Sequence, residues 1–282
     1  MSHFTVMVIT PADSNTSLDA QLQPFHQYEC TGIEDQYVVW VDSTEEVTAE
    51  WEAKTDEQKA EYGNDLAQFV EDWYGCDVKV VDGKVTFGRM TNPNYQWDWW
   101  QLGGRWSGFL KLKPGAKGSY GKRSWTNKDK ADDMDRADQA RKGDIDVEGM
   151  RDEQGQRAGA RWDKMQQAII AAGLTADTRW QTWEHIRDTV CNGDVAKARD
   201  TYHAQPALAA VKKAFDNPFF DADNLLCTRE QYVQQARDEA IMTFAFLKDG
   251  QWAERGDWAR QFNEMFDALP DDTLISIVDC HI

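Results

Sequence analysis

Two short apolar runs rich in β-branched residues lie at opposite ends of the chain. Phe4–Ile9 is closed by Thr10 and Pro11, and the last ten residues, 273–282, have the same character. Runs of this length bounded by turn residues are typical of buried strands. Strands near both termini predict that the two ends belong to one sheet, and that the middle of the chain elaborates it.

Helical patterns fill much of the interval between these runs. Helical signals extend from about residue 129 to 215. Thr228 caps a predicted helix over 228–246, in which apolar side chains recur at i+4 spacing. A further helix is predicted over 44–73, where two glutamates in the first turn suit the helix dipole.

Two turns predict hairpins and complete the fold prediction. Asp82–Gly83 is a strong two-residue hairpin signal, and Gly103–Gly104 predicts a second hairpin with a wider turn. The pattern predicts an α+β fold, with a sheet built from N- and C-terminal strands and a helical middle. We assign residues 1–121 plus 250–282 to an α+β core domain and 122–249 to a mainly helical elaboration.

The charge is strongly acidic and unevenly distributed. The 282 residues carry 49 acidic and 31 basic side chains, a formal charge of −18. Residues 1–121 contribute −10, residues 122–165 zero and residues 166–282 −8. We expect 122–165 to be a solvated helix or a loop ordered on contact, without buried elements. The acidic balance disfavours direct nucleic-acid binding and favours docking onto a basic-surfaced partner.

The cysteines and the apolar runs indicate a cellular compartment. Five dispersed cysteines without a CxxC pair, in a chain without a signal-like start, are typical of reduced cytosolic thiols. No run approaches the roughly 18 apolar residues that a membrane span requires. We therefore expect a cytoplasmic protein without membrane contact.

Residues 97–106 are the densest aromatic segment, because these ten residues contain four of the thirteen tryptophans. One interpretation is an exposed aromatic platform for a base, a sugar or a partner's side chain. The other is a core in which Arg105 is tied to Asp98 or another acid. The first interpretation gives the predicted binding residues: Trp97, Trp99, Trp100, Arg105 and Trp106.

Four strings of the sequence are distinctive: residues 24–32, 97–108 (WDWWQLGGRWSG), 141–152 and 269–282, the last containing PDDTL and VDCHI. Together they resemble a family of bacteriophage and prophage proteins to which no catalytic residues are assigned. The resemblance covers nearly the whole chain. It implies a phage protein acting in the cytoplasm of a bacterial host cell, and an anti-defence, anti-Gabija-like role.

The sequence gives only weak indications of a metal-binding or catalytic site. His26, Cys30, Cys280 and His281 are the only candidate zinc ligands, and adjacent strand residues such as the last two point to opposite faces. The Walker loop, GxGxxG, HExxH and GxSxG motifs are absent from the sequence. We predict no metal site, no cofactor and no catalytic residue, and we favour a non-enzymatic protein.

Three functional hypotheses follow. The first is an acidic phage protein that binds and inhibits a host antiviral defence component, a nucleic-acid-processing complex, through protein contact. The second is an enzyme acting on a nucleotide or small signalling molecule in a pocket lined by Trp99, Trp100 and Arg105. The third is a structural or regulatory protein that forms homo-oligomers.

Overall fold

The computed structural model describes residues 2–28, 35–74, 76–122, 133–217, 220–254 and 259–282. The described strands are β1 His3–Thr10, β2 Val39–Asp42, β3 Asp77–Val81, β4 Lys84–Thr91, β5 Trp99–Leu102, β6 Leu110–Lys111, β7 Gly118–Ser119, β8 Arg136–Ala137, β9 Gln139–Arg141, β10 Ala245–Lys248, β11 Gln251–Glu254 and β12 Leu274–His281. The described α-helices are α1 Leu18–Leu22, α2 Thr44–Ala53, α3 Asp56–Ala60, α4 Leu66–Phe69, α5 Val147–Ala171, α6 Trp183–His185, α7 Val195–His203, α8 Pro206–Phe215, α9 Arg229–Asp238 and α10 Ala259–Asp267. The predicted α+β fold is confirmed.

The two terminal strands form the centre of a seven-stranded sheet. β1 and β12 pair antiparallel over their whole length, from His3 opposite His281 to Thr10 opposite Leu274. The sheet order is β11-β10-β1-β12-β9-β7, and β5 pairs with the part of β12 beyond β9. The prediction that both ends belong to one sheet is therefore confirmed.

The central pair is buried on both faces. Met7 and Ile277 lie on one face in a cluster that includes Phe266 of α10. Val6 and Val278 lie on the other face with Cys280 and the indole of Trp97. Because both faces of the pair are buried, these strands are almost continuously apolar and do not alternate apolar with polar residues as a strand with one solvent-exposed face does.

A small unit precedes this sheet. β4 lies between β2 and β3, and the β3–β4 hairpin turns at Asp82–Gly83, as predicted. Phe87 packs with Val47 of α2 and Phe69 of α4 in a separate cluster. The predicted single helix over 44–73 is wrong, because a Thr55 capping box starts α3 and left-handed residues at 63–64 end that segment.

The longest helix, α5, joins the sheet to the helical region. Its glycines allow close approach of α9: a Cβ at Gly159 would lie 2.7 Å from Arg229 Nη2. The Arg229 guanidinium pairs with Asp163 at 2.9 Å, which ties the two helices together. Of the described helices, none is long and apolar enough to cross a bilayer.

Asp223 organises the helical cluster beyond α5. Its carboxylate accepts hydrogen bonds from the Trp180 indole, the Trp183 backbone N–H and the Tyr202 hydroxyl, each at 2.7 Å. Burial is the largest cause that raises the pKa of Tyr202, and the hydrogen bond to Asp223 is the second. This hydroxyl therefore stays protonated. One carboxylate thereby connects three segments.

Three sequence expectations differ from the observed topology. The prediction of a hairpin at Gly103–Gly104 is wrong, because β5 pairs with β12 and β6 pairs with β8. The helical elaboration 122–249 also supplies β9 and β10 to the central sheet. The expectation that 122–165 contains no buried element is wrong at Ala137–Asp138, which are fully buried. The division into two domains itself stays a prediction.

Replacing Asp223 should destabilise the helical cluster. Asp223→Ala leaves three donors without their acceptor, and we expect the free energy of unfolding to fall by about 3 kcal/mol. Urea denaturation followed by tryptophan fluorescence measures this change. Asp177→Ala, at an exposed turn position, is the control and should cost about 0.5 kcal/mol or less. Equal losses in both variants would contradict the role assigned to Asp223.

Candidate functional site

The predicted binding residues lie in different environments. Trp97 is only 4% exposed, stacks on His26 at 4.5 Å between ring centroids, and donates from its indole to the Leu22 carbonyl. It is a core residue. Trp106 is partly buried against the cluster that contains Met7.

Trp99 and Trp100 lie on opposite faces of the sheet. Trp99 is paired with His281 and is 44% exposed, whereas Trp100 is paired with Cys280 and packs into the cluster that contains Val6. Because neighbouring strand residues alternate in direction, these two indoles cannot line one pocket. The pocket proposed from Trp99, Trp100 and Arg105 is therefore not formed by this strand.

Two fully buried carboxylates hold the loop that follows β5. Asp279 accepts the Arg105 backbone N–H at 2.8 Å through Oδ2, and its Oδ1 is hydrogen-bonded to His3 Nδ1 at 2.8 Å. Asp138 accepts the Gly108 N–H at 2.6 Å, the Gly121 N–H at 2.8 Å and the Ser107 hydroxyl at 3.1 Å. These contacts replace the water that both carboxylates lose on burial.

The double glycine of this loop is required by the two carboxylates. Gly103 and Gly104 have φ of +72° and +52°, in the left-handed region. A Cβ at Gly103 would overlap the carboxylate of Asp138, and one at Gly104 would overlap that of Asp279. The glycine pair therefore allows the backbone to lie close to the two buried carboxylates, and it does not form a hairpin turn.

The loop leaves the Arg105 side chain exposed. The sequence also allowed an interpretation in which Arg105 is tied to an acid. Among the described residues, however, its guanidinium has no carboxylate partner. Asp98 instead pairs with His281. Arg105 and Trp99 are thus the two predicted binding residues that the structure leaves most accessible.

Two histidine–aspartate pairs lie beside Trp99. His281 Nδ1 is 2.6 Å from Asp98 Oδ1, His3 pairs with Asp279, and the two imidazole centroids are 5.0 Å apart. A carboxylate on Nδ1 orients the ring and leaves Nε2 available for hydrogen bonding or proton transfer. Sequence reasoning missed His3 and Asp279, because only the β1–β12 register brings them together.

The three candidate metal ligands that the structure describes do not converge on one position. Cys280 is fully buried on the face opposite His281, and burial raises the pKa of its thiol well above the usual range, so it is not a thiolate. His26 is buried, with Nε2 3.0 Å from the Asp98 carbonyl oxygen. Cys30 lies outside the described residues. Among those described, no group of three or more His, Cys, Asp or Glu side chains is arranged around a metal position.

The acidic charge is concentrated on one segment, residues 42–72, which we name the acidic unit. It contains α2, α3 and α4 and carries eleven acidic and two basic side chains, a net charge of −9. All of these acids except the half-buried Glu50 are exposed. Hydrogen bonds from the Thr44 hydroxyl and backbone N–H lower the pKa of Asp42. The unit therefore presents half of the formal charge of the chain to solvent.

Comparison with known proteins found no family model, curated protein or solved structure that matches this chain.

The contact between Gly103 and Asp138 can be tested with a matched pair of glycines. Gly103→Ala should lower the free energy of unfolding by about 3 kcal/mol, because it adds displacement of a buried carboxylate to backbone strain. Gly115 has a similar φ of +79° but open space around its Cβ position. Gly115→Ala should therefore cost only about 1 kcal/mol. Equal losses in urea denaturation would show that the carboxylate contact contributes nothing.

Proposed function

We propose that this chain is a bacteriophage or prophage protein that binds a host antiviral defence component in the bacterial cytoplasm and inhibits it by protein contact. The target is a nucleic-acid-processing complex with a basic surface, and a Gabija-type nuclease is the specific candidate. The observation that carries the proposal is the acidic unit. Its phage context comes from the resemblance of residues 97–108 and the other three strings.

Charge complementarity supplies the encounter. A protein that processes nucleic acid uses Lys and Arg to contact phosphates. The acidic unit offers such a surface ten exposed carboxylates on a short, mainly helical segment supported by its own core. Complementary charge raises the association rate and selects against acidic partners. Occupying the basic surface would block the nucleic acid.

Trp99 and Arg105 supply short-range contacts. Tryptophan and arginine are enriched among residues that dominate binding energy. Trp99 lies on a paired strand, and the backbone of Arg105 is fixed by Asp279. Because both positions are already ordered, binding loses little backbone entropy there.

Charge reversal in the acidic unit should weaken this complex. Glu52→Lys combined with Glu61→Lys changes the formal charge from −18 to −14 at two exposed acids without hydrogen-bond partners among the described residues. We expect the association rate with a purified Gabija-type complex to fall about tenfold at low salt, measured by surface plasmon resonance. DNA cleavage by the complex should recover in parallel.

The control makes the same charge change elsewhere. Asp177→Lys with Asp200→Lys reverses two exposed acids of the helical region, and it should bind and inhibit like the unaltered protein. The proposal is wrong if the unaltered protein neither binds the complex nor restores phage growth in defence-positive cells. Equal weakening by both double variants would assign the effect to total charge.

A second candidate function is an enzyme acting on a nucleotide or small signalling molecule. It is favoured by the two aspartate-oriented histidines, whose rings are 5.0 Å apart beside the exposed indole of Trp99. A pair of oriented imidazoles can act as general base and general acid.

Substitution of these histidines tests the enzymatic candidate. With linear and cyclic nucleotides as substrates and chromatography of the products, His281→Gln should reduce turnover by about a hundredfold or more. His203→Gln, at an exposed position on α7, should not change it. No turnover by the unaltered protein at stoichiometric concentration would reject this function.

A further inference from the structure

A groove runs between α5 and α9, where the sheet layer meets the helical cluster. Its volume is about 460 Å³, and it continues into a second depression of about 440 Å³ through shared residues, among them Phe109 and Arg157. Volumes in this range are typical of sites for small organic ligands. Neither depression includes Trp99, Arg105, His3 or His281 among its lining residues.

Two arginines of α5 face this groove. Gln154, Arg157 and Arg161 are spaced i, i+3 and i+7, which places them on one side of the helix. Among the described residues Arg157 has no hydrogen-bond or ion-pair partner, and Arg161 reaches only the Tyr232 hydroxyl at 3.5 Å. These neighbouring positive charges repel each other, so a bound anion would stabilise both.

The other arginines of the same two helices are neutralised. Arg151 pairs with Glu148 at 2.6 Å, Arg229 pairs with Asp163, and Arg237 pairs with Asp152. The acids that form these ion pairs all lie on α5, and none of them pairs with Arg157 or Arg161. In a chain of formal charge −18, this arrangement marks a local site for negative charge.

Three acids line the groove or the second depression, and none of them forms an ion pair with Arg157 or Arg161 among the described residues. Glu153 binds Lys111 at 2.6 Å and also Arg136, and the hydrogen bond from Lys111 is the largest cause that lowers its pKa. Glu239 accepts a hydrogen bond from Gln235 at 3.2 Å. Asp133 lines only the second depression, whose lining residues do not include Arg161.

The remaining lining residues favour a ligand with a planar apolar part. The rings of Phe109 and Tyr232 and the side chain of Met242 line the groove, together with the amides of Asn224 and Gln235. Aromatic rings stack on nucleobases, and amide groups form hydrogen bonds with base edges. Arginine is the residue best suited to bind phosphate oxygens with two N–H groups.

We propose that the groove between α5 and α9 binds a nucleoside phosphate, with the phosphates on Arg157 and Arg161 and the base against Phe109 and Tyr232. The ligand is a free nucleotide and not a polynucleotide, because the acidic surface repels an extended chain of phosphates. This site is independent of the acidic unit and of the histidine pairs.

Calorimetric titration of the full chain with ATP, GTP and inorganic pyrophosphate tests the proposal. We expect a nucleoside triphosphate to bind more tightly than pyrophosphate, and both Arg157→Gln and Arg161→Gln to weaken that binding at least tenfold. Both arginines are exposed, so thermal unfolding of the variants should match the unaltered protein. Arg199→Gln, which removes an exposed arginine on α7, is the control and should bind normally.

Three results would overturn the proposal. They are no binding of either triphosphate at millimolar concentration, pyrophosphate binding as tightly as the triphosphates, and equal binding by the unaltered protein and both groove variants. None of these results affects the test of the acidic unit, which uses different residues and a protein partner.

Discussion

The burial of two carboxylates, Asp138 and Asp279, is the constraint on which the sheet edge depends. A buried carboxylate is stable only where donors replace its lost water, and here the donors come from the loop after β5, from the segment after β7 and from β1. The same two groups require glycine at positions 103 and 104. The glycine pair within residues 97–108 is therefore explained by its structural role, and only the accessible side chains of this segment are available to contact a partner.

A similar arrangement recurs in the helical region. Asp223 accepts three hydrogen bonds from two other segments of the chain, as Asp138 does beside the sheet. Such fully hydrogen-bonded carboxylates fix loop geometry that apolar packing alone does not specify. They also divide the acids of this chain into two groups, since a few are internal acceptors while those of the acidic unit face solvent.

The sequence predicts those elements whose signal is local. β1, β12 and the Asp82–Gly83 hairpin follow from apolar runs and turn chemistry, and Thr228 starts α9 as its cap predicts. The helix over 228–246 is too long in the prediction, because Ala245 pairs with Val6 of β1. Tertiary pairing there overrides the helical spacing.

The candidate site is less predictable because its contacts are long-range. Asp138 lies in a segment whose balanced charge predicts exposure to solvent, and donors from two other segments, the loop after β5 and Gly121 after β7, make its burial favourable. The pairing of His3 with Asp279 requires the register of two strands that are far apart in sequence. The opposite orientation of Trp99 and Trp100, by contrast, follows directly from strand geometry.

The pairing of β1 with β12 also sets the order of events during synthesis. The two central strands are separated by nearly the whole chain, and hydrogen bonds between Ser2 and Ile282 extend their pairing to the last described residues at each end. Contacts of such sequence separation form late, because loop closure opposes them. β1 leaves the ribosome long before β12, so the apolar side chains that β12 will cover depend on transient cover until β12 has also been synthesised.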